Sequence, residues 1–501
     1  MRQHALPFGY DNTPRPVHSL SRASFSHEGV SPEAARIELE ARYKDLLQET
    51  DEFDRRLVSY QGNKGELLHS WIKYREGFSA QLVETLLRKF NVQPGETVLD
   101  PFAGSATTLL VAKMLGINGV GIELLPVCHL AWDAKSLAFE YSLDELNEAL
   151  SLIKATVSGP ASHKFPHLVI TESAFPPDTE NDLMFFTEAF ETSNFSAETK
   201  TLLRLVLTGI LEEVSYTRKD GQYLRWDSRA EKVERRNKAR ASNGRPPIKG
   251  MNKGELPSVK QALIQALRSI IEDLEEIHRR QRVNGAQHVI KGNTLEVLPT
   301  LESDQFAAVI TSPPYCNRYD YTRTYALELA YLGCGEDGVR ELRQGQLSCT
   351  VENRSKVSAL QKHYRDLGLV ERFEHILNVI QQNPAFIEVN TALQMRQDRG
   401  ELNNAGVLPM VQGYFTELAF VFAELFRTCK NGASVAFVND NVRYGGEVIP
   451  VDTLTTNLAE QLGFKPVKIY VLAQRKGNSS QQMRKFGREA LRKSITIWQK
   501  P

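Results

Sequence analysis

The sequence has few cysteines, and their spacing suits neither a disulfide framework nor a zinc site. There are five in 501 residues, at positions 128, 316, 334, 349 and 429, and no two of them form a CxxC pair. No apolar run is long enough to cross a bilayer, and residues 1–7 lack the apolar segment of a signal peptide. The sequence therefore predicts a cytoplasmic protein with reduced thiols and no bound metal.

Net charge is also lacking, because Lys+Arg and Asp+Glu are both 61. The balance hides a basic stretch over residues 218–253, where twelve Lys or Arg face four Asp or Glu. Aromatic residues Tyr216, Tyr223 and Trp226 lie in or beside this stretch. Such a pattern fits contact with nucleic acid, although a solvated helix face would produce a similar one. The candidate DNA-binding residues here are Arg225, Arg235, Arg236, Lys238 and Arg240.

Strand and helix patterns alternate along much of the chain, which predicts a doubly wound α/β sheet interrupted by two mainly helical insertions. A loose arm and a helix over residues 32–57, with Ser31 as N-cap, come first. The predicted division begins with an N-terminal arm and helix (1–57), a cofactor-binding part of the core (58–140) and a basic insertion (141–285). It continues with the part of the core that carries the catalytic loop (286–334), a second insertion that is the candidate for target recognition (335–404), and a C-terminal part of the core (405–501).

The first strand pattern, residues 97–100, ends in a tight turn of small residues before a helix over 107–115. Small residues allow a ligand close to the backbone, and the helix start directs N–H groups at it. Glu123 ends the next strand, where an acid can accept the hydroxyls of a ribose. The turn lacks GxGxxG and GxxxxGK[ST], which disfavours NAD, FAD and a P-loop. By itself, this pattern is equally consistent with a plain turn.

A second strand pattern, residues 307–311, ends in Ser312-Pro313-Pro314-Tyr315. Two prolines remove two backbone donors and stiffen the loop, so its carbonyls are free to face a ligand. One ligand that such a loop would suit is an amine on a nucleobase, which is a poor nucleophile because its lone pair is conjugated with the ring. Acceptors for both amine hydrogens, such as Ser312 Oγ and the Pro313 carbonyl, would favour a pyramidal nitrogen with an exposed lone pair.

Taken together, Asp100-Pro101-Phe102-Ala103-Gly104-Ser105 and Thr311-Ser312-Pro313-Pro314-Tyr315 resemble motifs I and IV of the S-adenosylmethionine-dependent DNA amino-methyltransferases of the (D/N/S)PPY type. The Ser-Pro-Pro-Tyr form is most similar to the group specific for cytosine N4. The resemblance covers about 58–140, 286–334 and 405–501, and implies a Rossmann-like class I methyltransferase fold.

The resemblance also implies site residues. Glu123 corresponds to the acid of motif II, residues 69–79 resemble motif X, and Asn293 stands where motif III usually has an acid. The cofactor S-adenosyl-L-methionine would be bound by Tyr74, Phe78, Asp100, Pro101, Phe102, Gly104, Ser105, Ala106, Thr107, Glu123 and Asn293.

Catalysis would fall to Thr311, Ser312, Pro313, Pro314 and Tyr315, with Tyr315 stacking on a base flipped from the duplex. Arg318 and Arg323 would hold phosphates, while Tyr319 and Tyr321 would line the base pocket; a surface loop with core tyrosines is the competing interpretation. A C5-cytosine enzyme is rejected, because Cys316 does not follow a proline as its nucleophile would.

The expected activity is methylation of cytosine N4 at a defined site in double-stranded DNA, in restriction–modification or phage defence, beside a cognate endonuclease or defence proteins. Three alternatives remain at this point. They are adenine-N6 methylation by the same machinery, RNA methylation, and a catalytically silent nucleic-acid-binding subunit.

Overall fold

The computed structural model describes residues 22–220, 224–280, 285–472, 486–487 and 489–501. Its strands are β1 (Leu47–Thr50), β2 (Thr97–Asp100), β3 (Asn118–Glu123), β4 (Thr217–Lys219), β5 (Leu224–Trp226), β6 (Gln287–Lys291), β7 (Phe306–Thr311), β8 (Cys429–Asp440), β9 (Val442–Tyr444), β10 (Glu447–Ile449), β11 (Lys465–Leu472) and β12 (Lys493–Gln499).

The α-helices are α1 (Ala34–Arg42), α2 (Ala80–Lys89), α3 (Thr107–Met114), α4 (Pro126–Lys135), α5 (Leu143–Ala155), α6 (Pro177–Thr192), α7 (Ala197–Val214), α8 (Glu231–Ser242), α9 (Val259–His278), α10 (Thr294–Val297), α11 (Tyr321–Thr324), α12 (Ala326–Tyr331), α13 (Glu336–Gly345), α14 (Val357–Asp366), α15 (Val370–Gln381), α16 (Pro384–Asp398), α17 (Val407–Thr428) and α18 (Val451–Gln461). Among the described helices, none has both the length and the apolar character that a bilayer crossing requires.

Eight strands form the central sheet, in the order β1-β11-β12-β8-β7-β2-β3-β6. Strand β12 is antiparallel to both its neighbours, and the other neighbouring pairs are parallel. The chain runs from β2 to β3 and β6 on one side, and from β7 to β8 on the other. This confirms the predicted Rossmann-like α/β fold and puts the switch point between β2 and β7, where ligands bind in such sheets.

Strand β2 and strand β7 are buried on both faces, as parallel strands covered by helices are. Val98, Leu99, Ala308, Val309 and Ile310 are all fully buried. Their apolar runs explain why these segments were recognisable as strands, and their pairing brings the turn after residue 100 beside the loop after residue 311.

The first insertion consists of helices and one hairpin. Its helices α5, α6, α7 and α9 bury a common apolar cluster, and Ser258 caps α9 in a reciprocal capping box with Gln261. The basic stretch forms the antiparallel hairpin β4–β5, helix α8 and the segment that leads to α9. Tyr223 and residue 282, the predicted end of α9, lie outside the described residues.

The predicted helix over residues 32–57 is wrong beyond Arg42. Residues 47–50 instead form β1, which pairs in parallel with β11 and extends the sheet at its edge. Ser31 does not cap the helix, because its hydroxyl donates to the buried carboxylate of Glu447. The first amides of α1 donate to Glu388 of α16, at 2.7 and 3.0 Å. A carboxylate remote in sequence thus replaces the expected local cap.

Candidate functional site

A cleft opens at the carboxyl ends of β2, β3 and β7, where the switch point was expected. It encloses about 760 Å³, counting space open to solvent. Nine of the eleven predicted cofactor residues line it, namely Tyr74, Phe78, Asp100, Phe102, Gly104, Ser105, Thr107, Glu123 and Asn293. Pro101 and Ala106 lie outside the lining; the Pro101 carbonyl accepts a hydrogen bond from Thr294, and Ala106 precedes α3 in the left-handed conformation.

Asp100 joins the two motifs that the sequence singled out. Its buried carboxylate accepts hydrogen bonds from Thr108 Oγ1 and Thr311 Oγ1, both at 2.8 Å, and from the Phe102 amide at 3.1 Å. Burial raises the pKa of Asp100 to about 6, and the three donors oppose the rise. Thr311 therefore acts as a tether that fixes the start of the Pro-Pro loop to the turn after β2.

Gly104 is needed where it stands. Its φ is +52°, and a Cβ there would lie 2.8 Å from the Tyr74 ring. Tyr74 in turn stacks on Tyr325, with ring centroids 5.2 Å apart. The segment before α2 is thus packed over the glycine turn, and its assignment as motif X stays a prediction.

Glu123 faces the cleft from the end of β3 while holding the turn together. Its carboxylate accepts hydrogen bonds from the amides of Gly104 at 2.7 Å, Leu124 at 2.9 Å and Leu125 at 2.8 Å. Burial raises its pKa, and these amides counter the rise. A carboxylate has about four acceptor positions, so one more remains for a ligand hydroxyl.

Asn293 has a local task that the sequence did not reveal. Its Oδ1 accepts the Leu295 amide at 3.0 Å and caps α10, so this oxygen is already engaged. Gln346, which sequence reasoning missed, lines the same cleft at 7% exposure. Its Oε1 is buried and has no hydrogen-bond partner among the described residues. An unsatisfied buried acceptor is costly, which points to a ligand donor.

The Pro-Pro loop separates this cleft from a second cavity. Ser312 and Pro314 line the cleft, whereas Pro313 and Tyr315 line the cavity, which encloses about 790 Å³. Glu76 and Tyr321 belong to both. The remaining lining residues of the second cavity are Arg75, Asp220, Asn317, Tyr319 and Asp440.

Within the second cavity, Tyr315 is fixed from two sides. Ser312 Oγ donates to the Tyr315 hydroxyl at 3.0 Å, and Lys493 Nζ lies 5.1 Å from the centre of the Tyr315 ring. Lys493 Nζ is also 3.6 Å from Asp440. Glu76 accepts hydrogen bonds from the hydroxyls of Tyr319 and Tyr325. Asp440 and Lys493 had no recognisable pattern in the sequence, and Glu76 lies in the segment that resembles motif X but was not singled out there.

The predicted phosphate-binding arginines differ in their surroundings. Arg323 pairs with Glu352 and Asp320, and Arg318 donates to Asn403 at 3.0 Å. In the basic stretch, Arg225 pairs with Asp220 at 2.6 Å, and Arg240 donates to the Pro246 carbonyl at 2.7 Å. Arg235 and Lys238 pair with glutamates one turn earlier on α8, and Arg236 borders a groove.

A switch-point cleft joined to a Pro-Pro-Tyr loop on a Rossmann-like sheet defines a methyltransferase. The DNA methylase family N6_N4_Mtase matches residues 34–130. The type II methyltransferase M.BsoBI of Geobacillus stearothermophilus is 56% identical over 479 residues, which cover 95% of this chain and 94% of that protein. The type II methyltransferase M.AvaI of Nostoc sp. is 38% identical over 471 residues, 92% of each chain. The chain therefore belongs to the type II DNA methyltransferases of restriction–modification, and to the amino-methyltransferases among them.

A third relative shares a shorter region. The type II methyltransferase M.MjaII of Methanocaldococcus jannaschii is 37% identical over 84 residues, 17% of this chain and 15% of that protein.

Enzymes of this family use S-adenosylmethionine, which supplies an electrophilic methyl group when bound. The residues of the cleft fit this cofactor. Asp100 and Glu123 would place two carboxyl groups beside this cationic cofactor, the turn at Gly104 has no side chain to block close approach, and Gln346 Oε1 lacks the donor that an amino group would provide. The predicted cofactor is thus confirmed at the level of the family, and the contacts of individual residues stay predictions.

Proposed function

We propose that this enzyme transfers the methyl group to the exocyclic N4 of cytosine in duplex DNA. The observation that carries the choice of base is Ser312, which holds the first position of the Pro-Pro-Tyr loop and lines the cleft. A neutral hydroxyl there resembles the cytosine-N4 group, whereas adenine-N6 enzymes usually have Asp or Asn at this place.

The loop geometry supports a reaction by positioning. Ser312 Oγ and the Pro313 carbonyl would accept the two amine hydrogens of the target base, so that the nitrogen lone pair faces the cleft. Thr311, held to Asp100, keeps these acceptors in register with the cofactor turn. No nucleophile from the protein is needed, and the protein contributes to catalysis by orienting the reactants and by electrostatic stabilisation.

Tyr315 would stack on the base after it leaves the duplex. Its ring lines the second cavity, and one side of the ring is occupied by the Lys493 ammonium. The cavity is shared with Tyr319 and Tyr321, as expected for a pocket that receives a planar ring. Because Glu76 and Tyr321 line both the cavity and the cleft, with the Pro-Pro loop between the two, the base and the methyl donor would meet at the loop.

DNA contacts are assigned to the two insertions and to the segment after the catalytic loop. The basic stretch (Arg225, Arg235, Arg236, Lys238, Arg240) and the arginines after the loop, Arg318 and Arg323, would give DNA a positive surface. Direct phosphate contact would be strongest at Arg236 and weakest at Arg235 and Lys238, because these two already pair with glutamates of α8. The second insertion, over 335–404, would read the bases. An enzyme that methylates DNA alongside a cognate restriction endonuclease would act in the cytoplasm.

Product analysis tests the proposal. The protein is incubated with labelled S-adenosylmethionine and unmethylated genomic DNA, which is then digested to nucleosides and separated by chromatography. N4-methylcytosine is expected, and N6-methyladenine would replace the proposal by the alternative base. The variant Tyr315→Ala serves as the control for contaminating activity, because product made by this chain should fall in the variant whereas product made by a contaminant should not. Total RNA as a second substrate checks that transfer is confined to DNA.

A further inference from the structure

The first insertion carries a groove with an apolar floor and cationic walls, which we call the basic groove. It encloses about 1040 Å³, counting space open to solvent, and its lining contains four cations and no carboxylate. The lining residues are Leu224, Arg225, Trp226, Lys232, Val233, Arg236, Ile248, Lys249, Gly250 and Met251. This surface combines positive charge with an aromatic ring, as strand-binding surfaces do.

The walls of the basic groove are held in place by backbone contacts. Met251 donates to the Trp226 carbonyl and accepts from the Ser228 amide, both at 3.0 Å, so Met251 lies beside the end of β5. Asn237 of α8 accepts the Ile248 amide at 2.7 Å. A Cβ on Gly250 would lie 2.7 Å from the Ser228 backbone, which shows how closely these segments approach. The groove is therefore preformed, and a ligand need not order it.

The cations of the basic stretch divide into structural and available ones. Lys219 is buried against Glu328, and Lys253 donates to the carbonyls of Glu212 and Ser215. Lys232 donates to the Val169 carbonyl at 2.9 Å. Such cations hold the insertion together and have less to offer a phosphate.

Arg236 and Lys249 are different, since neither side chain has a hydrogen bond or ion pair with any part of the chain that the structure describes. Both line the basic groove. On the same helix as Arg236, Arg235 pairs with Glu231 at 3.4 Å and Lys238 with Glu234 at 2.7 Å. Two uncompensated cations, Arg236 and Lys249, thus face the groove, whereas Arg235 and Lys238, which pair with carboxylates, do not line it.

The basic groove adjoins the second cavity through one hairpin. Arg225 lines the groove and pairs at 2.6 Å with Asp220, which lines the second cavity. Lys219, beside Asp220, is anchored on Glu328 of α12, with its ammonium 4.4 Å from the centre of the Tyr325 ring. A ligand in the groove would therefore lie next to the pocket that we assign to the target base.

We propose that the basic groove holds one strand of the DNA substrate beside the target nucleotide. Arg236 and Lys249 neutralise phosphates, and Trp226 with its apolar neighbours packs against the sugars. A nucleic-acid strand, which alternates anionic and apolar groups, fits this lining better than a protein surface does. The inference rests on the proposed function only in taking duplex DNA as the substrate, whichever base receives the methyl group.

Salt dependence tests the cations. For the full chain and a labelled duplex, the slope of log Kd against log salt should fall by about one for Arg236→Ala and for Lys249→Ala, because each loses a phosphate contact. The matched variants Arg235→Ala and Lys238→Ala should change the slope much less. If the slope fell equally in the groove variants and in the matched variants, the positive charge would act as a diffuse field, and the groove proposal would be overturned. An unchanged slope in the groove variants would also overturn it.

Tryptophan fluorescence tests the location. Trp71, Trp132 and Trp498 are at most 9% exposed, whereas Trp226 is half-buried and should account for most quenching by acrylamide. The duplex should protect wild-type fluorescence from acrylamide, and Trp226→Phe should remove this protection while binding persists. If the duplex binds without protecting Trp226, the groove proposal is overturned. Methyl transfer to DNA that survives this result leaves the proposed function standing, so the two failures are distinguishable.

Discussion

Replacing Gln346 by leucine should weaken cofactor binding and stabilise the empty enzyme. Gln346 follows α13, and its neighbour Gly345 packs against Leu124, next to Glu123. Its buried Oε1 has no partner among the described residues, although it lines the cleft. A leucine of similar size fills the space and removes the unsatisfied oxygen.

The size of the two effects follows from the cost of that oxygen. A buried polar atom without a partner costs about 1–3 kcal/mol, so the free energy of unfolding of the empty variant should rise by up to that amount. A hydrogen bond to a neutral amino group contributes about 0.5–1.5 kcal/mol net, so Kd should rise about 2-fold to 13-fold. A bond to the cofactor's ammonium group would give a larger loss.

Calorimetric titration with S-adenosylhomocysteine measures Kd without turnover, and urea unfolding measures stability. Gln344→Leu is the matched control two positions away. The Gln344 side chain donates to the Glu352 carbonyl and accepts from the Arg354 amide, both at 3.0 Å. Its loss should lower stability and leave Kd unchanged.

Gln346→Leu should weaken cofactor binding but raise the stability of the empty enzyme, so each effect can be contradicted separately. If Gln346→Leu binds the cofactor product within twofold of wild type, Gln346 does not contact the ligand. If the empty variant is less stable than wild type, the oxygen is satisfied in solution by another group, and the cost assigned to it is wrong.

Three further predictions concern buried groups and the loop. Burial lowers the pKa of Lys135 from 10.5 to about 8, and its ammonium has no hydrogen-bond partner in the part of the chain described. The folded state then binds fewer protons than the unfolded one between pH 8 and 10.5, so stability rises with pH there, and Lys135→Met should gain about 3 kcal/mol at pH 7 and much less at pH 10 in urea unfolding; a less stable variant at pH 7 would contradict this. Because the pKa of Asp100 is about 6, its charge beside the cationic cofactor is lost as pH falls through 6, and calorimetry should show weaker S-adenosylmethionine binding below pH 6, a dependence absent in Asp100→Asn. Tyr315→Ala should lower kcat about 5-fold to 150-fold, the loss of one stacking contact, while Tyr315→Phe stays near wild type and cofactor binding is unchanged in both; loss of cofactor affinity in Tyr315→Ala would argue against stacking.

Both motif loops were recognisable from local sequence, and their meeting followed from topology. The apolar runs before Asp100 and Ser312 identify buried parallel strands, and small residues or prolines identify the turns. In a sheet of this kind, loops at the carboxyl ends of β2 and β7 must adjoin. Nine of the predicted cofactor residues therefore line one cleft.

The errors have a common origin in contacts between remote segments. Nothing near residue 47 shows that a free edge of the sheet, beside β11, would draw those residues into a strand. Nothing near Ala35 shows that Glu388, more than 350 residues later, would cap the helix. Local propensity favoured a longer helix, and tertiary pairing overrode it.

The site residues that were missed share this property. Gln346 comes from an insertion, and Glu76 acquires its surroundings from Tyr319 and Tyr325, far along the chain. The sequence shows twelve cations in the basic stretch. It does not distinguish Lys253, whose ammonium donates to backbone carbonyls, from Lys249, which faces a groove.

The sequence by itself determined the fold class, the cofactor turn and the loop at Thr311–Tyr315, because strand burial and turn geometry are written in consecutive residues. Only the tertiary structure decided which acceptors already have a hydrogen-bond donor, which cations are paired with a carboxylate, and that Gln346 Oε1 has no donor among the described residues. Those properties depend on burial and on partners brought together by folding, and free energies of hydrogen bonds and charges are set by such surroundings more than by residue type.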